Sequence, residues 1–167
     1  KIIEALFQIQ GGYALTILTK KKLIGIRDPF GIRPLVIGKL NKSYVLASET
    51  CALDIIGAKF VREVKNGEIV IITEEGLENI KPFPKIKERS CIFEYIYFSR
   101  PDSIINNISV YEYRKKLGAE LAKESQVDTD LIIPVPDSGV PAAIGYSEEV
   151  KKNVELGIIR NHYVGRT

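Results

Sequence analysis

The sequence predicts an antiparallel α+β part followed by an α/β part, and three observations carry this. Up to about residue 84, short apolar runs alternate with turn dipeptides, the pattern of an antiparallel layer with few helices. Residues 81–89 then bring two prolines and four basic side chains, the composition of a linker. Beyond them, an apolar run at 131–135, a helical stretch at 141–152 and a second run at 155–160 form a βαβ unit. Such a unit demands a parallel sheet and a right-handed crossover. The expected division is therefore 1–84, a linker at 85–90, and 91–167.

Each element follows from local pattern. Ile2, Ile3, Leu6 and Ile9 recur at helical spacing and stop before Gly11-Gly12. Residues 13–19 and 23–27 read as strands joined by a turn at Lys20-Lys21-Lys22. Asp28-Pro29-Phe30-Gly31 is a turn leading to a strand at 35–39, and Asn41-Lys42 leads to another at 44–48. Residues 49–56 suit a short helix, with Ser48 as its cap and Gly57 at its end. Strands at 60–64 and 68–73 flank Asn66-Gly67, a hairpin dipeptide, and Glu74-Glu75-Gly76 turns into a strand at 77–81. The aromatic run 92–98 reads as a strand and 99–108 as a loop. A helix then begins at Ser109, whose pairing with Glu112 is a capping box, with Val110, Leu117 and Leu121 along one side. The run 131–135 suits a strand buried on both faces, as in a parallel sheet.

Composition narrows the function classes. The hydrophobic share of 45% and charged share of 27% are those of a globular protein. A net charge of +3 on scattered Lys and Arg argues against a nucleic-acid partner, and no run is long enough to span a bilayer. Two cysteines make no disulfide framework, which points to a reducing cytoplasm. Residue 1 is Lys, as expected of a fragment or a processed product.

The candidate site lies at residues 130–146. A strand, the polar turn Pro136-Asp137-Ser138-Gly139 and a helix with Pro141 in its first turn follow in that order. The helix's free N–H groups and positive dipole end make a place for an anion, with Asp137 and Ser138 at its mouth. An ordinary strand-to-helix turn explains the same residues. Arg27 and Asp28, expected to pair, are either scaffold beside an active site or a local ion pair in a loop. Cys51 and Cys91 read as small buried hydrophobes unless a ligand role is added. His162, the single histidine, sits in a terminal loop, and CxxC metal spacing is absent. Glu94, Arg100, Asp102, Arg160 and Arg166 stand at strand ends or in loops, where substrate contacts tend to lie.

Five motifs in this order resemble the amidophosphoribosyltransferase family, the glutamine-dependent enzymes that open purine synthesis. They are residues 27–35 (RDPFGIRPL), 47–53 (ASETCAL), 93–103 (FEYIYFSRPDS), 134–138 (PVPDS) and 161–167 (NHYVGRT). The first two are shared with other class II glutamine amidotransferases, while the third and fifth are specific to the family. The resemblance implies a four-layer, antiparallel amidohydrolase-type (Ntn) part and an α/β phosphoribosyltransferase-type part, both incomplete. It implies glutamine and phosphoribosyl pyrophosphate as substrates, Mg2+ as cofactor, and a cytoplasmic homo-oligomer without nucleic-acid or membrane partners.

Residue by residue, Ser138 matches the family's magnesium position, and Cys91 matches one of four ligands of the [4Fe-4S] iron–sulfur cluster found in some members. Asp137, Arg160, Tyr163 and Arg166 match substrate-binding positions. Relatives often carry Arg where His162 stands, a weaker cation at neutral pH. No catalytic residue of the family matches this chain: its nucleophile is an N-terminal cysteine, and residue 1 is Lys. The expectation is that residues 1–167 alone catalyse neither half-reaction. Two other readings are open: a fragment of another class II amidotransferase, such as an asparagine synthetase, or a non-catalytic remnant of a split gene.

Overall fold

The computed structural model describes residues 1–161 and 163–165. The chain forms two compact units, residues 1–92 and 93–167.

In the first unit, α1 (Ile2–Leu6) precedes a hairpin of β1 (Ala14–Leu18) and β2 (Leu23–Arg27). Then come β3 (Val36–Leu40), β4 (Ser43–Ala47), α2 (Thr50–Ile55), β5 (Lys59–Glu63), β6 (Ile69–Thr73) and β7 (Gly76–Ile80). Two antiparallel sheets result, ordered β1-β2-β6-β7 and β4-β3-β5. Alternation along the strands sorts the side chains into three apolar layers. Ile24, Ile26 and Ile69 point to Leu6 of α1. Leu35, Ile37, Val64 and Val70 fill the space between the sheets, with Leu46 and Ile72 packed on them. Val36 and Ala58 meet Leu53 of α2 on the far side. The order is helix, sheet, sheet, helix. Ile26, Ile37 and Val70 are fully buried, each worth about 1.5–3 kcal/mol against exposure. Tight spots between the layers include Gly25, where a Cβ would stand 2.7 Å from Leu46, and Gly38, where one would stand 2.6 Å from Leu53 of α2.

Asn66-Gly67 does not close a hairpin, as the dipeptide suggested. It carries the chain from β5 in one sheet to β6 in the other. The turn is held from outside: the Asn66 side-chain amide donates to the carbonyls of Pro29 and Ile86 at 3.1 and 3.2 Å. Glu68, fully enclosed, then accepts both Arg62 Nη groups at 2.8 Å, the Lys65 amide at 2.6 Å and the Asn79 side chain at 2.9 Å. Burial pushes the Glu68 pKa up, but these donors outweigh it and hold the carboxyl below the usual glutamate range. A depressed carboxylate contributes stability above its unfolded-chain pKa and loses it as pH falls through the folded value. Unfolding free energy should therefore drop on the acid side, and Glu68→Gln should flatten that dependence while lowering stability at neutral pH by about 2–4 kcal/mol. Denaturant titrations between neutral and acid pH decide it; parallel pH profiles for both proteins would refute it.

The loop after β2 corrects a second expectation. Arg27 and Asp28 do not pair with each other; they divide the loop's backbone between them. Arg27 donates to the carbonyls of Arg33, Gly31 and Val64 at 2.9, 3.1 and 2.8 Å and lies 3.5 Å from Glu63. Asp28 accepts the amides of Phe30, Ile32 and Arg33 at 3.0–3.1 Å. Tyr13 is buried nearby, and burial first, then the Asp28 charge, raise its pKa. The segment expected to be a linker lies on this loop too. Arg89 donates its amide to the Phe30 carbonyl at 2.8 Å, and Glu88 stands 3.9 Å from Arg27. At α2, Glu49 rather than Ser48 is the cap residue, in extended conformation and without a side-chain capping bond. Gly57 ends the helix with φ +69°, as expected.

The second unit opens with a helical turn. Residues 94–98, expected to be extended, form a π-helix. Aromatic and β-branched composition favours a strand, but Glu94 and Tyr95 are both buried while Ile96, Tyr97 and Phe98 are exposed. That run of neighbours does not alternate, so no strand face could bury it. The expected loop contains a two-residue ladder, β8 (Ile104–Ile105) with β9 (Ile108–Ser109), around Asn106-Asn107 at positive φ. Then α3 (Val110–Glu124) starts at Ser109, whose Oγ accepts the Glu112 amide at 3.3 Å. Its buried stripe is Val110, Arg114, Gly118 and Ala122, whereas Leu117 and Leu121 are 40% and 53% exposed. The smallest residues mark the face because α4 (Val140–Val150) comes close there. A methyl on Gly118 would overlap the Ala142 carbonyl oxygen, and one on Gly145 the Lys115 carbonyl oxygen. At the rim, Lys115 Nζ meets Glu148 at 2.7 Å, a hydrogen bond that raises the lysine pKa.

The βαβ unit is parallel: β10 (Leu131–Ile132) pairs with β11 (Asn153–Val154) in the register Leu131 to Asn153 and Ile132 to Val154. The second strand thus comes two residues before the predicted 155–160, and both are shorter than expected. Leu131, Ile133 and Val135 are exposed, against the expectation that the run 131–135 is buried on both faces, and Leu156, Ile158 and Ile159 are exposed as well. No helix among the described residues is long and apolar enough to cross a membrane.

Candidate functional site

The site in the second unit is built where the chain leaves β10 and enters α4. Pro134 is buried, Val135 is exposed, and Asp137 and Ser138 complete the turn. Gly139 is the cap residue of α4, and its amide donates to the Val135 carbonyl at 3.1 Å. A Cβ on Gly139 would lie 2.7 Å from that oxygen, so only glycine fits this close return. Pro141 occupies the first turn, and no side chain caps the helix.

Asp137 and Ser138 line one wall of a cleft of about 260 Å3. Residues 97–101 and Arg114 line the other. The π-helical turn explains how those residues get there. Its closing bond runs from the Ser99 amide to the Glu94 carbonyl at 3.1 Å, five residues apart. The Tyr95 carbonyl, which an α-helix would give to Ser99, goes instead to Arg114 Nε at 2.6 Å. Arg114 Nη2 takes the Ser99 carbonyl at 2.7 Å, and Ser99 Oγ donates to Glu94 at 3.0 Å. The residues that follow are pinned by α3: Val110 and Tyr111 donate their amides to the Ser103 and Pro101 carbonyls at 3.0 and 2.9 Å. These are N–H groups that a helix start leaves free.

Charges surround the opening. Arg160 Nη1 donates to Asp137 Oδ2 at 3.0 Å, with both side chains about half exposed. Arg100 holds Asp102 through two bonds of 3.0 and 2.8 Å, and this pairing lowers the Asp102 pKa. An incoming anion therefore meets cations whose present partners are exposed and screened, so exchange is cheap.

Of the residues named from sequence, Asp137, Ser138 and Arg100 line this cleft, with Arg160 joined to it through Asp137 and Asp102 through Arg100. Tyr163 is 99% exposed and does not join them, and Arg166 and His162 lie outside the described residues. Cys91 is a half-buried free thiol in the first unit, and Cys51 is buried. Glu94 is buried inside the π turn rather than open to a substrate. Among the described residues, no three His, Cys, Asp or Glu side chains gather as a metal site. Arg114 escaped the sequence reading because it sits in the charged run Tyr113-Arg114-Lys115-Lys116. Its spacing of four from Val110 and Gly118 was the available signal. In the first unit, a cleft of about 430 Å3 separates Lys20–Lys22 from Glu74, Glu75 and Glu78, a mixed-charge solvated surface.

Known proteins agree with this architecture. Residues 1–54 match the family described as a glutamine amidotransferase domain. The amidophosphoribosyltransferase of Rhizobium etli is 54% identical over all of this chain, which covers 35% of that protein. Its counterpart in Bacillus subtilis is 48% identical, again over the whole chain and 35% of the relative. A solved structure of the B. subtilis glutamine phosphoribosylpyrophosphate amidotransferase, complexed with ADP and GMP, superposes with a TM-score of 0.94 at 48% identity. The superposition covers 99% of this chain and 36% of that one. The chain thus spans about a third of the length of the relatives it matches.

Proposed function

The chain belongs with the amidophosphoribosyltransferases, which it matches along its whole length, and from that premise we propose that the full-length protein makes 5-phosphoribosylamine from phosphoribosyl pyrophosphate and glutamine. Ammonia freed from glutamine attacks the anomeric carbon; a C–N bond forms, the C–O bond to pyrophosphate breaks, and the amine loses a proton. The observation in the structure that carries this is the parallel β10–α4–β11 unit, with Asp137 and Ser138 at the carboxyl end of its strand and the mouth of a cleft. Ligands of open α/β sheets bind at that edge. A whole-length match favours this reading over another class II amidotransferase, whose likeness would end with the antiparallel part.

In this reading, residues 1–84 form the later portion of the ammonia-producing domain, and the 28–33 loop is its framework. Residues 91–167 form the first portion of the phosphoribosyltransferase domain. The start of α4 and the Ser138 hydroxyl receive phosphate oxygens, a contribution of about 1–3 kcal/mol. Arg160, Tyr163 and Arg166 would close over the substrate. The donor set at the turn, one carboxylate and one hydroxyl, suits a hard divalent cation that completes its shell with water and phosphate oxygens. Mg2+ held there by Ser138 would neutralise the leaving pyrophosphate. One thiolate at Cys91 fits a single ligand position of an iron–sulfur cluster, the others coming from elsewhere in the protein.

The test is an assay of the full-length protein with glutamine, phosphoribosyl pyrophosphate and magnesium. Glutamate and pyrophosphate should appear together; residues 1–167 alone, as control, should release neither. Absence of both products from the full-length protein would end the proposal. Ser138→Ala should raise the KM for phosphoribosyl pyrophosphate about tenfold, worth about 1.4 kcal/mol, with the melting temperature nearly unchanged because the turn is half exposed. An unaltered KM would remove Ser138 from the site. Cys91→Ser should abolish bound iron in a protein that purifies with a cluster, and iron content equal to the parent's would return Cys91 to the core.

A further inference from the structure

We propose that Arg114 is a positioning residue for substrate binding: through two backbone carbonyls it sets the wall of the cleft that faces Asp137 and Ser138. The proposal rests on the functional reading above, and deepens it by adding a determinant that never needs to touch the reacting atoms.

Arg114 is 2% exposed, yet it stands in the second turn of α3 beside Lys115 and Lys116. A guanidinium is costly to bury, so its retention asks for a geometric reason. Its fork supplies one. Nε holds the Tyr95 carbonyl at 2.6 Å and Nη2 the Ser99 carbonyl at 2.7 Å. These two oxygens lie four residues apart, at the start and just past the end of the π-helical turn. The wide turn removes the usual amide partner of the Tyr95 carbonyl; Arg114 Nε takes that place while Nη2 of the same plane holds Ser99. Immediately after Ser99 come Arg100 and Pro101, which line the cleft. Release of the Ser99 carbonyl would therefore move Ser99 and Arg100 within the wall, while Pro101 and Ser103 stayed fixed by the amides of α3.

Lysine cannot reproduce this. Its ammonium carries its three donors on a single nitrogen at the end of a flexible stem, so it cannot present donors from two separate atoms in a fixed plane. Arg114→Lys keeps the charge and the stem, and loses the fork.

The experiment compares Arg114→Lys and Arg114→Gln with the parent in the full-length protein. Ammonia, phosphoribosyl pyrophosphate and magnesium are the substrates, and glutaminase activity is followed separately. Both variants should raise the KM for phosphoribosyl pyrophosphate about tenfold with kcat within about twofold. The KM for ammonia should be unchanged, as should glutamine hydrolysis measured alone. A merely structural arginine would instead lower the active fraction, so kcat would fall for both activities at constant KM. That pattern, an unchanged KM in folded variants, or failure of both variants to fold would overturn the proposal. If the parent itself forms no phosphoribosylamine, the functional reading has failed, and this outcome is separate from any effect of Arg114.

Discussion

Asp28→Ala should destabilise the protein by about 3–5 kcal/mol, although the residue touches no part of the proposed site. The carboxylate is completely buried and accepts three backbone amides within five residues. Removing it strands the N–H groups of Phe30, Ile32 and Arg33, and each buried donor left without a partner costs about 1–3 kcal/mol. The three penalties overlap, because the loop would relax toward water, so their simple sum is an upper bound. The loss would not stay local. The Asp28 carbonyl also accepts the amides of Gly31 and Gly67, and Arg27 beside it holds three further carbonyls. Asp28→Asn keeps one oxygen acceptor and turns an NH2 group toward the remaining amide, so its cost should be about half. Denaturant unfolding of the two variants measures the order directly. An alanine variant within about 1 kcal/mol of the parent would show that the loop is not held this way.

Gly118→Ala should cost about 3 kcal/mol, and its sign is the informative part. On a solvent-exposed helix, the same change stabilises by about 1 kcal/mol, because alanine loses less backbone entropy. Here the added methyl would overlap the carbonyl oxygen of Ala142, and backbone cannot swing aside as a side chain can. The two helices must separate. Gly145→Ala attacks the same contact from the other side, at the Lys115 carbonyl, so the double variant should cost less than the sum of the singles. Because Gly139 and the turn of Asp137 and Ser138 enter α4, a displaced helix should also weaken substrate binding. Thermal unfolding gives the stability. A stabilised Gly118→Ala would mean that the helices stand farther apart than described.

The turn at the candidate site was legible because turn chemistry is short and local, whereas the family was legible from five motifs in order. Asp137, Ser138, Gly139 and Pro141 are consecutive or nearly so, and a strand-turn-helix can be recognised from turn residues and apolar runs without knowing what packs on it. Arg114 was not legible, because its partners are carbonyls of residues fifteen and nineteen positions away. Nothing in a charged run tells a solvated arginine from one that is folded inward.

By itself, the sequence determined the antiparallel first part, the parallel βαβ unit, the Ser109 start of α3 and the glycine stop after α2. In each case, the cause is periodicity, capping or a left-handed turn acting within a few residues. Tertiary structure decided the rest. It sent Asn66-Gly67 between two sheets instead of across one, since Asn66 finds its acceptors at Pro29 and Ile86. It wound residues 94–98 into a π turn, since Arg114 offers two donors for the carbonyls this frees. It also chose glycine and alanine over leucine as the buried face of α3, because α4 passes too close for larger side chains. These outcomes depend on groups distant in sequence, whose hydrogen bonds and van der Waals overlaps exist only once the chain has folded.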